Sequence, residues 1–168
     1  MGQYYKIVNL DKQQFLNPHD FGNGAKLLEF GSSGSGVMLG LAVLLSDGNG
    51  RGGGDLNDDK RRLKPKLKKL IGSWAGDRVV VTGDYADANR FIPTGEMNLY
   101  GHAAEYFKNI SLDVVEVLCA DEYTARDILT GGFGGDERRA AMIKRGLTIA
   151  KEIDAGVRLG HTMESDVG

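Results

Sequence analysis

Residues 31–54 read GSSGSGVMLGLAVLLSDGNGRGGG, an apolar segment flanked by two glycine-rich ones. Nine of these 24 residues are glycine, against a usual frequency of about 7%. By periodicity the apolar part, Val37 to Ser46, suits either a buried strand or a buried helix, and its Leu, Met and Ala content favours the helix. One buried apolar helix is therefore predicted here, with glycine-rich turns on both sides.

Three segments predict strands. Gln3 to Leu10 is rich in Tyr, Ile and Val, and a turn at Asp11 and Lys12 leads into Gln13 to Leu16. Residues 78–82, RVVVT, lie between two Gly-Asp pairs and form the clearest strand pattern in the chain. Because strands come early and at mid-chain with helices between and after them, the expected fold is α+β. It has a small antiparallel sheet with an N-terminal hairpin, packed against helices.

Three further helices are predicted from capping residues and spacing. Asn98 caps the first. The second covers Leu112 to Ala120, although its valines also suit a strand. Asp136 caps the third, Glu137 to Asp154, with Gly156 beyond its end. The apolar stripe of the first helix comprises Leu99, Ala103, Tyr106, Phe107 and Ile110.

Length and composition indicate one globular domain over residues 1–168, with 41% hydrophobic and 26% charged residues. The longest apolar run, Val37 to Leu45, is shorter than the roughly 20 residues that span a bilayer, so no membrane partner is expected. Cys119 is the only cysteine, which excludes an internal disulfide and fits a cytoplasmic location. Residues 160–168 are expected to form a frayed tail.

Charge is unevenly distributed along the chain. Residues 1–83 carry 12 Lys and Arg against 8 Asp and Glu, whereas residues 84–168 carry 9 against 15. Seven of the ten residues in 60–69 are basic, and Pro65 interrupts the helical spacing of 57–71, so we expect a short or mobile basic segment. Nucleic acid is disfavoured as a partner, because this run has no aromatic residue to stack on a base.

The glycine-rich segments predict an anion site. Backbone N–H groups at a helix start bind phosphate or carboxylate, and the fork of Arg51 can pair with two oxygens. The spacing matches neither the dinucleotide fingerprint nor a P-loop, and a flexible turn is the alternative. Trp74 and Tyr85 could stack on a base, although a core position also suits Trp74. The predicted ligand-binding residues are Ser32, Ser33, Gly34, Ser35, Gly36, Asn49, Arg51, Gly52, Gly53, Trp74, Asp84 and Tyr85.

No motif names a reaction, so the catalytic residues stay unknown. Residues 47–58 loosely resemble a calcium loop, but Arg51 stands where an oxygen ligand belongs. No metal and no cofactor are predicted. Asp77, Asp84 and Asp87 could serve as acid, base or metal ligand only if the fold brings them together.

Several segments resemble a family of small uncharacterised proteins from bacteria and their phages. These segments are MGQYYKIVNL, LLEFG, GLAVLLSDGNGRGGGDL, GSWAGDRVVVTGDYAD and NLY, all within residues 1–110. The resemblance transfers no activity. It implies an accessory protein, in the host cytoplasm if phage-borne, and such proteins often block host defences by sequestering a nucleotide or capping an enzyme.

Three functions follow as hypotheses, and binding is favoured over catalysis. The first is a non-enzymatic accessory protein, with a counter-defence role, that binds a phosphate-bearing small molecule such as a nucleotide through the glycine-rich loops. The second is an inhibitor or adaptor that binds a macromolecular partner, such as a protein, through its charged surfaces. The third is a metal-dependent enzyme that acts on a nucleotide or phosphate ester through Asp77, Asp84 or Asp87.

Overall fold

The computed structural model describes residues 2–57, 63–92 and 95–156. Four strands form one sheet in the order β3-β1-β2-β4, with β1 antiparallel to both β2 and β3. The α+β class and the N-terminal hairpin are therefore confirmed. The strands are β1 (Tyr5–Asn9), β2 (Gln14–Leu16), β3 (Val79–Gly83) and β4 (Lys108–Asn109).

The sheet is mixed rather than antiparallel throughout, because β4 runs parallel to β2. The helix that precedes β4 packs on β1 and β3 and returns the chain to the far edge of the sheet. The chain therefore re-enters the sheet in the direction of β2, which a hairpin connection could not do.

Eight helices and one 3₁₀ turn surround the sheet in the described residues. The predicted apolar helix is confirmed as α2, and the predicted helix over Leu112 to Ala120 is confirmed as α5. The elements are a 3₁₀ turn (Pro18–Phe21), α1 (Leu27–Phe30), α2 (Val37–Leu45), α3 (Pro65–Lys68), α4 (Leu99–Tyr106), α5 (Ser111–Leu118), α6 (Glu122–Thr130), α7 (Gly135–Lys144) and α8 (Thr148–Asp154).

Three helix predictions need correction. Asn98 caps α4 as expected, with its side chain accepting from the Gly101 amide. However, α4 ends at Tyr106, so Ile110 lies outside it. The long helix predicted over residues 137–154 is two helices, because Gly146 at φ +89° ends α7 in the left-handed region. Gly134, rather than Asp136, stands at the N-cap of α7.

The predicted basic segment is described only from residue 63 onward. There α3 begins at Pro65, where proline is tolerated because the first helical amide has no intrahelical acceptor. Residues 58–62, and the predicted tail at 160–168, lie outside the described residues. No helix within the described ranges is long and apolar enough to cross a bilayer.

Two apolar clusters sandwich the sheet, and alternation along β1 assigns residues to them. Ile7 faces the larger cluster, which contains α2, α5 and Trp74. Val8 faces the smaller one with Ile92 and α4. Successive side chains of a strand point to opposite faces, so β1 is buried on both sides.

Candidate functional site

The amides at the start of α2 already have acceptors within the chain. The Val37 amide donates to Asn23 Oδ1 at 2.7 Å, and the Met38 amide donates to Ser33 Oγ at 3.3 Å. Ser32 Oγ donates to the Leu28 carbonyl. Asn23, fourteen residues before Val37, thus accepts a hydrogen bond from the first turn of α2. A local capping residue usually supplies this acceptor.

The second glycine-rich segment binds a carboxylate of its own. Asp55 Oδ2 accepts from the amides of Gly50, Arg51 and Gly52 at 2.8, 2.8 and 3.1 Å. Asn49 bonds both the amide and the carbonyl of Leu56, which closes the loop. The segment therefore forms an anion nest whose occupant is Asp55.

The two glycine-rich segments do not face one another. They lie at opposite ends of α2, whose nine residues span about 13 Å. Gly36 is buried, and a Cβ on it would meet the Asn23 side chain, whereas Gly34 and Gly53 have open space beside them. The anion-binding prediction stays untested by a ligand, but five of the amides it relies on have internal acceptors.

The other predicted site residues are scattered. Trp74 is fully buried and donates from Nε1 to Gln14 Oε1 at 2.8 Å, which is a core role. Asp84 Oδ1 accepts from the Tyr4 amide, and the exposed Tyr85 follows it after β3.

Of the aspartates proposed for metal chemistry, Asp77 is separated from Asp84 and Asp87, which both follow β3. Asp77 accepts from Asn9 and Lys12 at one end of β3, while Asp84 lies at the other end, about 20 Å away along an extended chain. Within the described residues, no three His, Cys, Asp or Glu side chains are grouped so that they could hold a metal ion.

Three exposed aromatic rings line a hollow of about 450 Å³, which we call the aromatic cleft and define by Tyr4, His19 and Phe133. The His19 ring centroid lies 6.4 Å from that of Tyr4 and 5.8 Å from that of Phe133. Tyr4 is 45% exposed and Phe133 is 62% exposed. Lys26 and Glu29, at the start of α1, complete the wall of the cleft.

Each ring of the aromatic cleft has a defined backbone support. The Tyr4 amide donates to Asp84. His19 lies in the 3₁₀ turn, whose cap residue Asn17 accepts the His19 amide at 3.2 Å. Phe133 lies in the loop from Gly131 to Gly134, between α6 and α7. The Phe133 amide donates to the Gly22 carbonyl at 3.1 Å.

Glycine is required in this loop at Gly132. Its φ is +69°, and a Cβ built there would lie 2.0 Å from the Gly22 carbonyl oxygen. No side chain fits that approach, so the two turns pack backbone against backbone. This contact places Phe133 beside His19.

Arg138 holds the Phe133 loop from beneath. The residue is 4% exposed, and its guanidinium donates to the carbonyls of Ile128, Phe133 and Gly131 at 2.8, 2.7 and 2.8 Å. A longer contact of 3.5 Å reaches the His19 carbonyl. One buried side chain therefore ties together the end of α6, the loop and the 3₁₀ turn.

Carboxylates predominate around the aromatic cleft. Glu29 lines it, and Asp20 and Glu137 line an adjoining hollow of about 300 Å³ that shares His19. The cations are Lys26 and Arg138, and Arg138 donates to backbone carbonyls. Desolvation by burial lowers the pKa of Arg138, and Asp20 and Glu137 oppose that shift. The cleft therefore favours a guest that carries positive charge.

Two exposed leucines lie on α1, the helix that also carries Glu29. On α1, Leu28 is 89% exposed and Leu27 is 45% exposed, directly between Lys26 and Glu29 in the chain. Exposed leucines beside exposed rings are typical of surfaces that bind other proteins.

The sequence carries little local signal for this site. Tyr4 lies in the predicted strand from Gln3 to Leu10. His19 has no second histidine at the spacing of a metal-binding motif. The run GGFGG at residues 131–135, with a large ring between two glycine pairs, was the available signal. Comparison with protein-family models, curated proteins and solved structures finds no match for this chain.

Acidification is expected to open the loop around Asp55. Bonds from the amides of Arg51, Gly52 and Gly50 hold the pKa of the Asp55 carboxyl below its usual range. A depressed pKa in the folded state means that this stabilisation is present above the unfolded pKa, about 3.9, and is lost as pH falls through the folded pKa. In an NMR titration, the three amide resonances should move together with a midpoint below that value.

Asp55→Asn is the control for this titration. It should displace the same resonances at neutral pH and abolish their titration. Three amides that titrate at or above the ordinary aspartate range, or that ignore Asp55→Asn, would contradict the assignment of Asp55 as the occupant of the nest.

Replacing Arg138 is expected to destabilise the fold. Arg138→Leu leaves buried carbonyls without donors, and we expect the free energy of unfolding to drop by about 2–4 kcal/mol. Urea unfolding followed by Trp74 fluorescence measures this drop. The matched control is Arg126→Leu on the exposed side of α6, with an expected change within about 0.5 kcal/mol. Equal stability of the two variants would refute the role given to Arg138.

Proposed function

We propose that this protein is a binding module that docks a basic segment of a partner protein on the aromatic cleft. The observation that carries this proposal is the combination of three exposed rings with the carboxylates of Asp20, Glu29 and Glu137 around them. A Lys or Arg side chain is attracted by aromatic faces and by carboxylates together. This makes the second sequence hypothesis, an inhibitor or adaptor, the favoured one.

The exposure of the rings supports a protein partner over an enclosed small molecule. Small-molecule sites commonly bury about 70–90% of the ligand surface, whereas the cleft rings of Phe133 and Tyr4 are 62% and 45% exposed. Aromatic side chains are enriched among the residues that dominate protein interfaces. The cleft offers such rings, flanked by apolar and charged side chains, on rigid supports.

A nucleotide is a weaker candidate for this cleft. Within the cleft its phosphates would meet Glu29 as well as Lys26, and Asp20 and Glu137 line the adjoining hollow. The guanidinium of Arg138 is already bonded to carbonyls. Nucleotide binding at the glycine-rich loops, together with a counter-defence role, stays a prediction.

Peptide titration by NMR tests the proposed function. The probe is the capped tripeptide Leu-Arg-Leu, compared with Leu-Glu-Leu and with AMP. We expect the arginine peptide alone to shift the resonances of Tyr4, His19 and Phe133. Phe133→Ala should weaken binding by about 3–10-fold, as loss of one cation–π contact implies.

Three variants make the outcome decisive. Tyr106→Ala removes a ring that is 63% exposed on α4, outside the cleft, and should leave binding unchanged. Glu29→Gln should weaken the arginine peptide, and Lys26→Gln should strengthen it. Shifts caused by AMP and strengthened by Glu29→Gln would instead establish an anionic ligand, and no shift with any probe would overturn the proposal.

A further inference from the structure

The outer edge of β3 has no strand beside it in the described part of the chain. β3 ends the sheet and pairs only with β1. An edge strand presents a row of backbone donors and acceptors, and proteins commonly protect such edges with Lys, Pro or a bulge. The segment Val79 to Thr82 carries none of these and consists of residues that favour strands.

The hydrogen-bond pattern identifies which backbone groups face outward. Leu10 donates to the Arg78 carbonyl, and Asp84 donates to the Tyr4 carbonyl, both at 2.9 Å. The backbone N–H and C=O groups of the even-numbered residues of β3 therefore point toward β1, because backbone bonding alternates along an antiparallel pair. Val79, Val81 and Gly83 direct their N–H groups away from β1.

There is space along this edge. A hollow of about 390 Å³ lies beside β3 and is lined by Val81, Gly83, Tyr85 and Phe91, among others. Val81, at the middle of the strand, is 41% exposed. The Gly83 carbonyl accepts from Ala86 at 3.1 Å, which closes the turn after β3.

Charge at the two ends of β3 selects the occupant. Arg78 and Asp84 lie three residues on either side of Val81. In an antiparallel pair of two β3 strands centred on Val81, each Arg78 stands directly across from Asp84 of the other copy, on the same face of the sheet. Arg78 uses Nε and Nη2 for Asp11, and its side chain is 73% exposed. Its Nη1 has no acceptor in the described residues.

We propose that two copies of this chain associate through β3, antiparallel and centred on Val81, to form one continuous eight-stranded sheet. The two Val81 residues exchange a pair of backbone bonds. Arg78 pairs with Asp84 at both ends. This self-association is independent of the function proposed for the aromatic cleft.

Sedimentation velocity from low to high micromolar concentration tests the dimer. We expect a dimer that dissociates on dilution. Val81→Pro removes only an outward N–H, which an edge strand tolerates, and should weaken the dimer at least about tenfold. Circular dichroism and thermal melting verify that this variant is folded.

A charge exchange tests the register and does not depend on the proline variant. Arg78→Asp and Asp84→Arg should each weaken self-association, because like charges then meet at both ends. An equal mixture of the two variants should restore a heterodimer, because every end again pairs opposite charges. A monomer at all concentrations, a dimer that survives in folded Val81→Pro, or a mixture without heterodimer would each overturn the proposal.

Discussion

The bonding of one buried guanidinium to backbone carbonyls supports much of this structure. Arg138 faces no carboxylate within ion-pair distance in the described residues and instead donates to three carbonyls at 2.7–2.8 Å. Burying a charge is costly unless hydrogen bonds compensate. Here the compensation comes from the end of α6 and the Phe133 loop, so the position of Phe133 depends on Arg138. The geometry of the aromatic cleft thus depends on the buried guanidinium of Arg138.

The second glycine-rich segment shows the same need for hydrogen-bond partners, here with backbone donors and an anionic acceptor. Asp55 supplies a negative charge to three backbone amides that have no partner in a helix or strand. Buried or turn amides need acceptors, and a side chain four residues away supplies one at little cost in entropy. A glycine-rich loop can therefore have the geometry of a ligand site and serve its own fold.

The sequence predicted the elements whose signal is local. The hairpin, β3, α2 and the Asn98 cap follow from periodicity, turn residues and capping chemistry. The split between α7 and α8 is not signalled by spacing, because a single glycine such as Gly146 is compatible with a continuous helix. The parallel pairing of β4 was missed because two residues carry no pattern and the pairing depends on where α4 packs.

The candidate site could not be predicted in the same way. Tyr4 and Phe133 are more than a hundred residues apart in the chain, and the close contact between Gly22 and Gly132 places Phe133 beside His19. That contact is between backbones, so no pair of side chains signals it. The acceptors of the glycine-rich loops are equally hidden, because Asn23 and Asp55 resemble ordinary turn residues.

The two edge strands of the sheet differ in length and charge, and this difference limits the size of any assembly that forms through the sheet. At the β2 side the sheet ends in β4, which has two residues and carries the exposed Lys108. A margin so short and charged resists further strand addition. When two copies associate through the same single sheet edge, the interface is isologous and the assembly is a closed dimer. Such a chain cannot polymerise into a fibre through that edge. The short strand β4 would thus prevent assembly beyond the dimer.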